Sequence, residues 1–269
     1  MKKDNETIIG VVGGVGPYAG LDLAEKIFDQ TLADQDQDHL KVVLFSYPSD
    51  ISDRTEFLLG ECPDNPADPI FEILQTMDEI GVTVAGIPCN TSHSEPIYDK
   101  IKEKLYSSNS LLVLVHMIEA VADAILRCQL GFERVGVLCT SGTRHADIYG
   151  QTLSKLGLQV VYPDDRHQVL LHSAIYDRQF GIKAESKPVT VRAKTMVNQV
   201  IEHVKKQGVD VIVLGCTELP LAFAQNQSGT VPVLDTTLIL ARALIQQVAP
   251  EKLKPFSLQV LTSQMSTTI

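Results

Sequence analysis

No apolar run in this sequence approaches the roughly 20 residues that span a bilayer, so no membrane-crossing segment is expected. Basic residues are scarce: 23 Lys and Arg face 33 Asp and Glu, for a net charge of −10. That balance argues against nucleic acid and anionic membranes as partners. Cysteines are few, odd in number and widely separated, five in all. They fit a reducing cytoplasm better than a secreted disulfide framework. The N-terminal stretch Met1-Lys-Lys-Asp-Asn-Glu-Thr7 is polar and leads into a strand, so no signal peptide is expected there. Hydrophobic content is ordinary at 44% of 269 residues, enough for a core without disulfides or metal. The length suits two domains of about 100–130 residues or one large α/β domain.

What is present is an alternation of apolar strand-like runs with helical segments, which indicates mainly parallel sheets. Strands are predicted at 8–12, 42–45, 82–89 and 111–115, and again at 135–139, 158–162, 209–214 and 231–235. Helices are predicted from Pro17 to about Leu32, with Leu21, Ala24, Phe28 and Leu32 on one face, then at 68–80 and 118–129. The second half repeats the order with helices at 145–156, near 167–180, at 188–207 and at 237–248. A long loop from Tyr47 to about Ala67 carries Pro48, Gly60, Pro63 and Pro66, together with Arg54. The final Ser-Gln-Met-Ser-Thr-Thr is expected to fray.

The chain reaches one arrangement twice. Val82-Thr-Val-Ala-Gly-Ile-Pro-Cys89-Asn90-Thr91 and Val209-Asp-Val-Ile-Val-Leu-Gly-Cys216-Thr217-Glu218 each carry an apolar run into a cysteine and a polar turn. A glycine- or threonine-rich turn precedes each cysteine by 76 residues, from Gly13 to Cys89 and from Thr140 to Cys216. The tails rhyme as well, Leu112-Val-Leu-Val-His116 with Val231-Pro-Val-Leu-Asp235. This is the pattern of a duplicated half-domain. The expected fold is therefore α/β, with two similar, mainly parallel domains related by a pseudo-twofold and a site in the cleft between them. Residues 1–115 form the Cys89 half, completed by 231–269, and residues 116–230 form the Cys216 half.

A lone buried cysteine is more often a small hydrophobe than a reactive thiol, and Cys62, Cys128 and Cys139 keep that reading. Cys89 and Cys216 differ because both lie at the ligand-binding carboxyl ends of strands. A thiol on each face of a cleft suits removal of a proton from one face of a carbon and its return to the other. An unperturbed thiol is only about 3% thiolate at pH 7, so the helix N-termini that follow are expected to lower its pKa. Val11-Val-Gly13-Gly14-Val15-Gly16-Pro17 departs from the dinucleotide fingerprint in spacing. It reads better as a backbone cradle for a carboxylate, with Thr140-Ser141-Gly142-Thr143 as its twin. Cys89-x-x-x-His93 has helical spacing but lacks the three or four ligands that zinc needs, so no metal is expected. His93 reads as a turn or cap residue, and His116 and Asp235 as groups that orient the turns behind the cysteines. Arg54 and Lys183 are the cations placed where an acidic protein would hold an anion.

Val11-Val-Gly-Gly-Val-Gly16, Pro88-Cys-Asn-Thr-Ser-His93 and Leu214-Gly-Cys-Thr-Glu-Leu-Pro220 resemble the three signature segments of the aspartate/glutamate racemase family. The resemblance spans residues 8 to about 248. Ile51-Ser-Asp-Arg54-Thr55 is similar to the family's substrate-carboxylate arginine loop, and Tyr176 through Lys183-Ala to its lysine-bearing segment, both features of the aspartate branch. The family often has methionine at the place of Val15 and alanine at the place of Ser92, two positions that line the expected pocket. The resemblance implies racemisation of aspartate, or glutamate, without pyridoxal phosphate or any other cofactor, by a homodimer. Cys89 and Cys216 would exchange protons with Cα. Asn90, Thr91, Thr217 and Glu218 would position the α-carboxylate and amino group, and Arg54 and Lys183 the side-chain carboxylate. Gly14, Val15, Ser92, Thr140, Ser141 and Thr143 would complete the pocket. Rival readings are a maleate isomerase or malonate decarboxylase on the same fold, a non-catalytic amino-acid-binding protein and a nucleotide-binding oxidoreductase.

Overall fold

The computed structural model describes residues 7–223 and 231–255. The expectations for residues 1–6 and for the C-terminal tail lie outside the described residues.

The first half runs β1 (Ile8–Gly13), α1 (Pro17–Gln30), β2 (Lys41–Ser46), α2 (Arg54–Leu58), α3 (Ala67–Glu79), β3 (Val84–Gly86), α4 (Glu95–Ser107) and β4 (Val113–Val115). Helix α5 (Met117–Arg127) leads to β5 (Arg134–Cys139), α6 (Ser141–His145), α7 (Ile148–Ser154), β6 (Gln159–Val161), α8 (Asp165–Tyr176) and α9 (Val191–Lys206). The chain continues through β7 (Val211–Gly215), α10 (Leu219–Ala222), β8 (Val233–Asp235) and α11 (Thr236–Val248). The strands form two four-stranded sheets, ordered β2-β1-β3-β4 and β6-β5-β7-β8. Every pairing in both is parallel. The expected duplicated, parallel α/β architecture is therefore the observed one.

Strands covered on both faces need apolar residues at every position, and β5 and β7 show this, with nearly every residue buried. One face of the first sheet packs on α3 and α4, the other on α1 and α11. The second sheet packs on α8 and α9 through one face and on α5 and α7 through the other. Glycine recurs at the third residue of β1 and of β5 for one reason. A Cβ on Gly10 would lie 2.8 Å from Met77 Sδ of α3, and one on Gly136 2.5 Å from Val204 Cγ1 of α9.

The halves exchange their last elements. Strand β8 pairs with β7, while α11 packs on α1 and the first-half core. The expected completion of the Cys89 half from residue 231 does not fit this pairing, because β8 belongs to the second sheet. We propose instead residues 1–115 joined by 236–255, with residues 116–235 forming the other half.

Several local expectations are corrected. Helix α1 buries Ala19, Gly20, Leu23 and Ile27, whereas Leu21, Phe28 and Leu32 are 40–50% exposed. Both stripes have helical spacing, and contact with α11 selects the first. The predicted helix 145–156 shortens to α7, Ile148–Ser154, and left-handed Asp147 (φ 47°) separates it from α6, which ends at His145. The loop after Tyr47 contains α2, a helix of five residues and too short to register as a period.

Candidate active site

Both cysteines lie just beyond the carboxyl ends of the central strands. Strand β7 delivers Cys216 directly, while β3 stops at Gly86 and Ile87-Pro88 carries the chain on to Cys89. A 3-10 turn, Asn90–His93, follows Cys89, and the four-residue α10 begins shortly after Cys216. Both side chains are buried, 8% and 5% exposed. Together they line a cavity of only about 10 Å³, room for roughly one water. The other lining residues are Val15, Arg54, Asn90, Thr91, Thr140, Tyr176, Lys183, Thr217 and Glu218. A more open pocket of about 260 Å³ adjoins it and shares Arg54, Lys183 and Glu218.

The two thiols have different neighbours. Cys216 Sγ donates to Glu218 Oε2 at 3.1 Å. Burial first, and then this carboxylate, push the Cys216 thiol well above its ordinary pKa, against the pull of Lys183. The expected lowering by a helix N-terminus is thus reversed at Cys216, because complete burial outweighs the dipole of a single helical turn. Arg54 lies beside Cys89. Burial opposes its charge, but Cys89 and Asp53 outweigh burial and hold the guanidinium protonated.

Arg54 is fixed from two sides, donating through Nη1 to Ser52 O at 3.1 Å and through Nη2 to Val15 O. Its Nε is buried, and the guanidinium as a whole borders the cleft beside Cys89. Asp53 caps α2 by accepting from Thr55 N and Glu56 N, and its Oδ2 lies 3.4 Å from Lys183 Nζ. Burial opposes ionisation of Asp53, while Lys183 and Arg54 overcome it and hold the carboxyl below its ordinary pKa. Lys183 stands 4.4 Å over the Tyr176 ring. Burial works against its charge too, but Glu218 and Tyr176 keep its pKa raised. The Tyr176 hydroxyl lies 3.2 Å from either Asp53 oxygen and 3.1 Å from Thr55 Oγ1. Asp53, Thr55 and Tyr176 are site residues that sequence reasoning missed. The available signal was the capping pattern Asp53-Arg-Thr-Glu56 directly around the arginine.

Hydroxyls knit the halves together around the cleft. Thr91 Oγ1 lies 2.8 Å from Thr143 Oγ1 and 3.3 Å from Thr140 Oγ1, and Thr55 Oγ1 donates to Thr140 Oγ1 at 3.2 Å. Thr217 Oγ1 donates to Pro88 O at 3.1 Å, joining the two cysteine turns. Asn90 accepts from the Tyr149 hydroxyl at 2.6 Å and donates to Thr236 Oγ1 at 3.3 Å. Its amide therefore holds the Cys89 turn against the opposite half. The Gly16 turn comes so close to the second half that a Cβ there would lie 2.6 Å from Glu218 Oε1.

Not every expected residue faces the cleft. Gly14 lines the outer pocket, with left-handed backbone (φ 84°) and no space for a Cβ against Tyr47 and Pro48. Thr143 sits behind Thr91 and Thr140, and its amide is taken up by Thr140 Oγ1, so it is no free anion donor. Ser141 faces α8 instead, 3.2 Å from His172 Nδ1. Ser92 is fully buried with an unpartnered hydroxyl and is absent from the cleft lining. His93 Nδ1 lies 2.9 Å from Cys89 O and braces that turn. His116 and Asp235 cap α5 and α11 by accepting backbone N–H bonds. Cys139 and Cys128 have thiol pKa values raised by burial.

Two parallel α/β halves thus each present one buried thiol to a shared cleft, with an arginine and a lysine beside them. The Asp/Glu/Hydantoin racemase family model matches residues 12–244, and the chain belongs to that family. Its fold is similar to that of Picrophilus torridus aspartate racemase, with a TM-score of 0.78 and 27% identity over 95% of this chain and 99% of that one. An aspartate racemase homologue from Pyrococcus horikoshii has the same fold, with a TM-score of 0.68 and 24% identity over 91% of this chain and 99% of that one. A glutamate racemase from Latilactobacillus sakei is 33% identical over 107 residues, 39% of this chain and 35% of that protein. The match to it thus spans about a third of that relative's length. Among the described residues no helix is long and apolar enough to cross a membrane.

Proposed function

We propose that this protein interconverts L- and D-aspartate, with glutamate as the alternative substrate, by proton transfer between Cα and two cysteines without a cofactor. The observation that carries the reading is the arrangement of Cys89 and Cys216, one from each half, in a single closed cleft beside Arg54 and Lys183. In one direction Cys89 as thiolate takes the Cα proton, breaking C–H and forming S–H. Cys216, held as a thiol, donates its proton to the opposite face. The products are the enantiomer, a Cys89 thiol and a Cys216 thiolate, which is the starting state for the reverse reaction. Lys183 offsets the charge that then lies beside Glu218. Arg54 and Lys183, both at the cleft, are the groups for the substrate's side-chain carboxylate, which a guanidinium can bind in a bidentate manner. Asn90, Thr91, Thr140, Thr217 and Glu218 border the space for the α-carboxylate and amino group.

The cavity is too small for an amino acid, so substrate entry requires the halves to separate. The adjoining pocket gives the route, past two cations and one carboxylate. Reclosure excludes water and strengthens every charge contact around the developing carbanion. All five cysteines are free, which fits operation in a reducing cytoplasm. The exposed apolar stripe of Tyr18, Leu21 and Phe28 on α1 supports a homodimer, whose mass light scattering would measure.

Separate incubation of reduced protein with L- and D-aspartate, with no added cofactor, should drive the circular dichroism signal of each to zero. Unchanged signals for aspartate and glutamate alike would end this reading. Release of carbon dioxide from an arylmalonate, or isomerisation of maleate, would move the assignment to a rival reaction on the same fold.

A further inference from the structure

The packing of α8 on α9 places three metal-ligating side chains together, away from the cysteine cleft. Asp164 is the N-cap of α8, accepting at Oδ1 from His167 N at 2.9 Å. The His167 side chain turns back to the same carboxylate, with Nδ1 2.7 Å from Oδ1. His203, in the last turn of α9, reaches across with Nε2 3.4 Å from Asp164 Oδ2. The two imidazole rings stack with centroids 3.6 Å apart and planes 11° from parallel. One donor atom from each residue falls within 4.8 Å of the other two. Gln207, four residues beyond His203, places its amide nitrogen 2.8 Å from His203 Nε2.

We propose that Asp164, His167 and His203 form a binding site for a divalent transition cation of the zinc type. Two imidazole nitrogens and one carboxylate oxygen are borderline donors, matched to zinc and its neighbours. Magnesium and calcium prefer all-oxygen shells. In a tetrahedral site with bonds near 2.1 Å, ligand atoms lie roughly 3.4 Å apart. Reaching that spacing requires the two stacked rings to part and turn one nitrogen each toward a common point beside Asp164. Asp164 is preorganised because the His167 amide fixes its Oδ1 whether or not a cation is bound. A half-turn of the Gln207 amide presents an oxygen as the fourth ligand, or water takes that place.

The cation acts as a staple. His167 and Tyr176 are nine residues apart on α8, about 14 Å along its axis, so the ion does not touch the reacting atoms. It ties the outer end of α8 to α9, and the inner end of the same helix carries Tyr176 to the cleft. This inference rests on the α8–α9 packing and is independent of the racemase reading.

The test is zinc binding by calorimetry on the full chain carrying Cys89→Ser and Cys216→Ser, which removes the cleft thiols as a competing site. The expected result is one equivalent bound and a zinc-dependent rise in Tm. Adding His203→Gln should weaken binding by more than about 100-fold and erase the rise. Binding seen only at millimolar zinc, or unaltered by His203→Gln, overturns the proposal. Should the double serine variant fail to fold, cobalt(II) titration of the unsubstituted chain decides the matter. Visible d–d bands that His203→Gln removes support the site, and thiolate charge-transfer bands alone overturn it.

Discussion

The Cys216 thiol donates to the Glu218 carboxylate across 3.1 Å, two residues along the same turn, whereas Cys89 lies in the field of the Arg54 guanidinium. The duplicated halves therefore present chemically unequal thiols to one cleft. One is stabilised as a proton donor, and the other has a cation beside it. A two-base proton exchange needs that inequality at the start of each turnover, since two thiols supply no base and two thiolates no acid.

Cys89→Ser and Cys216→Ser should each lower racemisation by at least about 100-fold, because a hydroxyl is too weak an acid to replace a thiol at neutral pH. The remaining cysteine still faces one side of Cα. Each variant should then exchange the α-proton of one aspartate enantiomer with deuterated solvent, with retention, and the two should prefer opposite enantiomers. Proton NMR reads the exchange. The same preference in both would place the thiols on one face.

Glu218→Gln removes the carboxylate that keeps Cys216 protonated. Alkylation of Cys216 by iodoacetamide, followed by peptide mass spectrometry, should accelerate, while kcat falls about 10- to 100-fold. The enantiomers have equal free energies, so kcat/KM must drop equally for L- and D-aspartate. Unaltered alkylation would separate Glu218 from the ionisation of Cys216.

Asp53 carries two roles that substitution can divide. Asp53→Ala loses the cap of α2, costing about 0.5–2 kcal/mol, and frees Lys183 from its partner. Asp53→Asn keeps a capping oxygen but not the charge. Tm should recover in Asp53→Asn, while KM for aspartate stays displaced in both variants. Wild-type KM in Asp53→Asn would make the carboxylate purely a cap.

Burial, then the neighbouring His116, push the His93 pKa down to about 3, against an ordinary value near 6.5. A depressed folded-state pKa gives stability that is complete above the unfolded value and is lost as pH falls from about 6.5 towards 3. The loss is on the order of 5 kcal/mol over that window. Urea titrations at stepped pH should show a shallower acid-side decline in His93→Gln than in the unsubstituted chain. Parallel declines would mean that other groups govern acid unfolding.

Much of this molecule is written along the chain. Buried parallel strands demand continuous apolar runs, so β1, β5 and β7 are legible, and a duplication leaves equal spacings that place Cys89 and Cys216 in equivalent turns. The family signatures are equally linear. The tertiary structure alone decided what depends on distant partners. Helix α1 has two apolar stripes, and only contact with α11, more than 200 residues later, chose Leu23 and Ile27 over Leu21 and Phe28. Asp53 and Lys183 are 130 residues apart, and no local pattern pairs them. The protonation of Cys216 follows from removal of water and the approach of a carboxylate. Desolvation is a property of the assembled interior, and no stretch of sequence carries it.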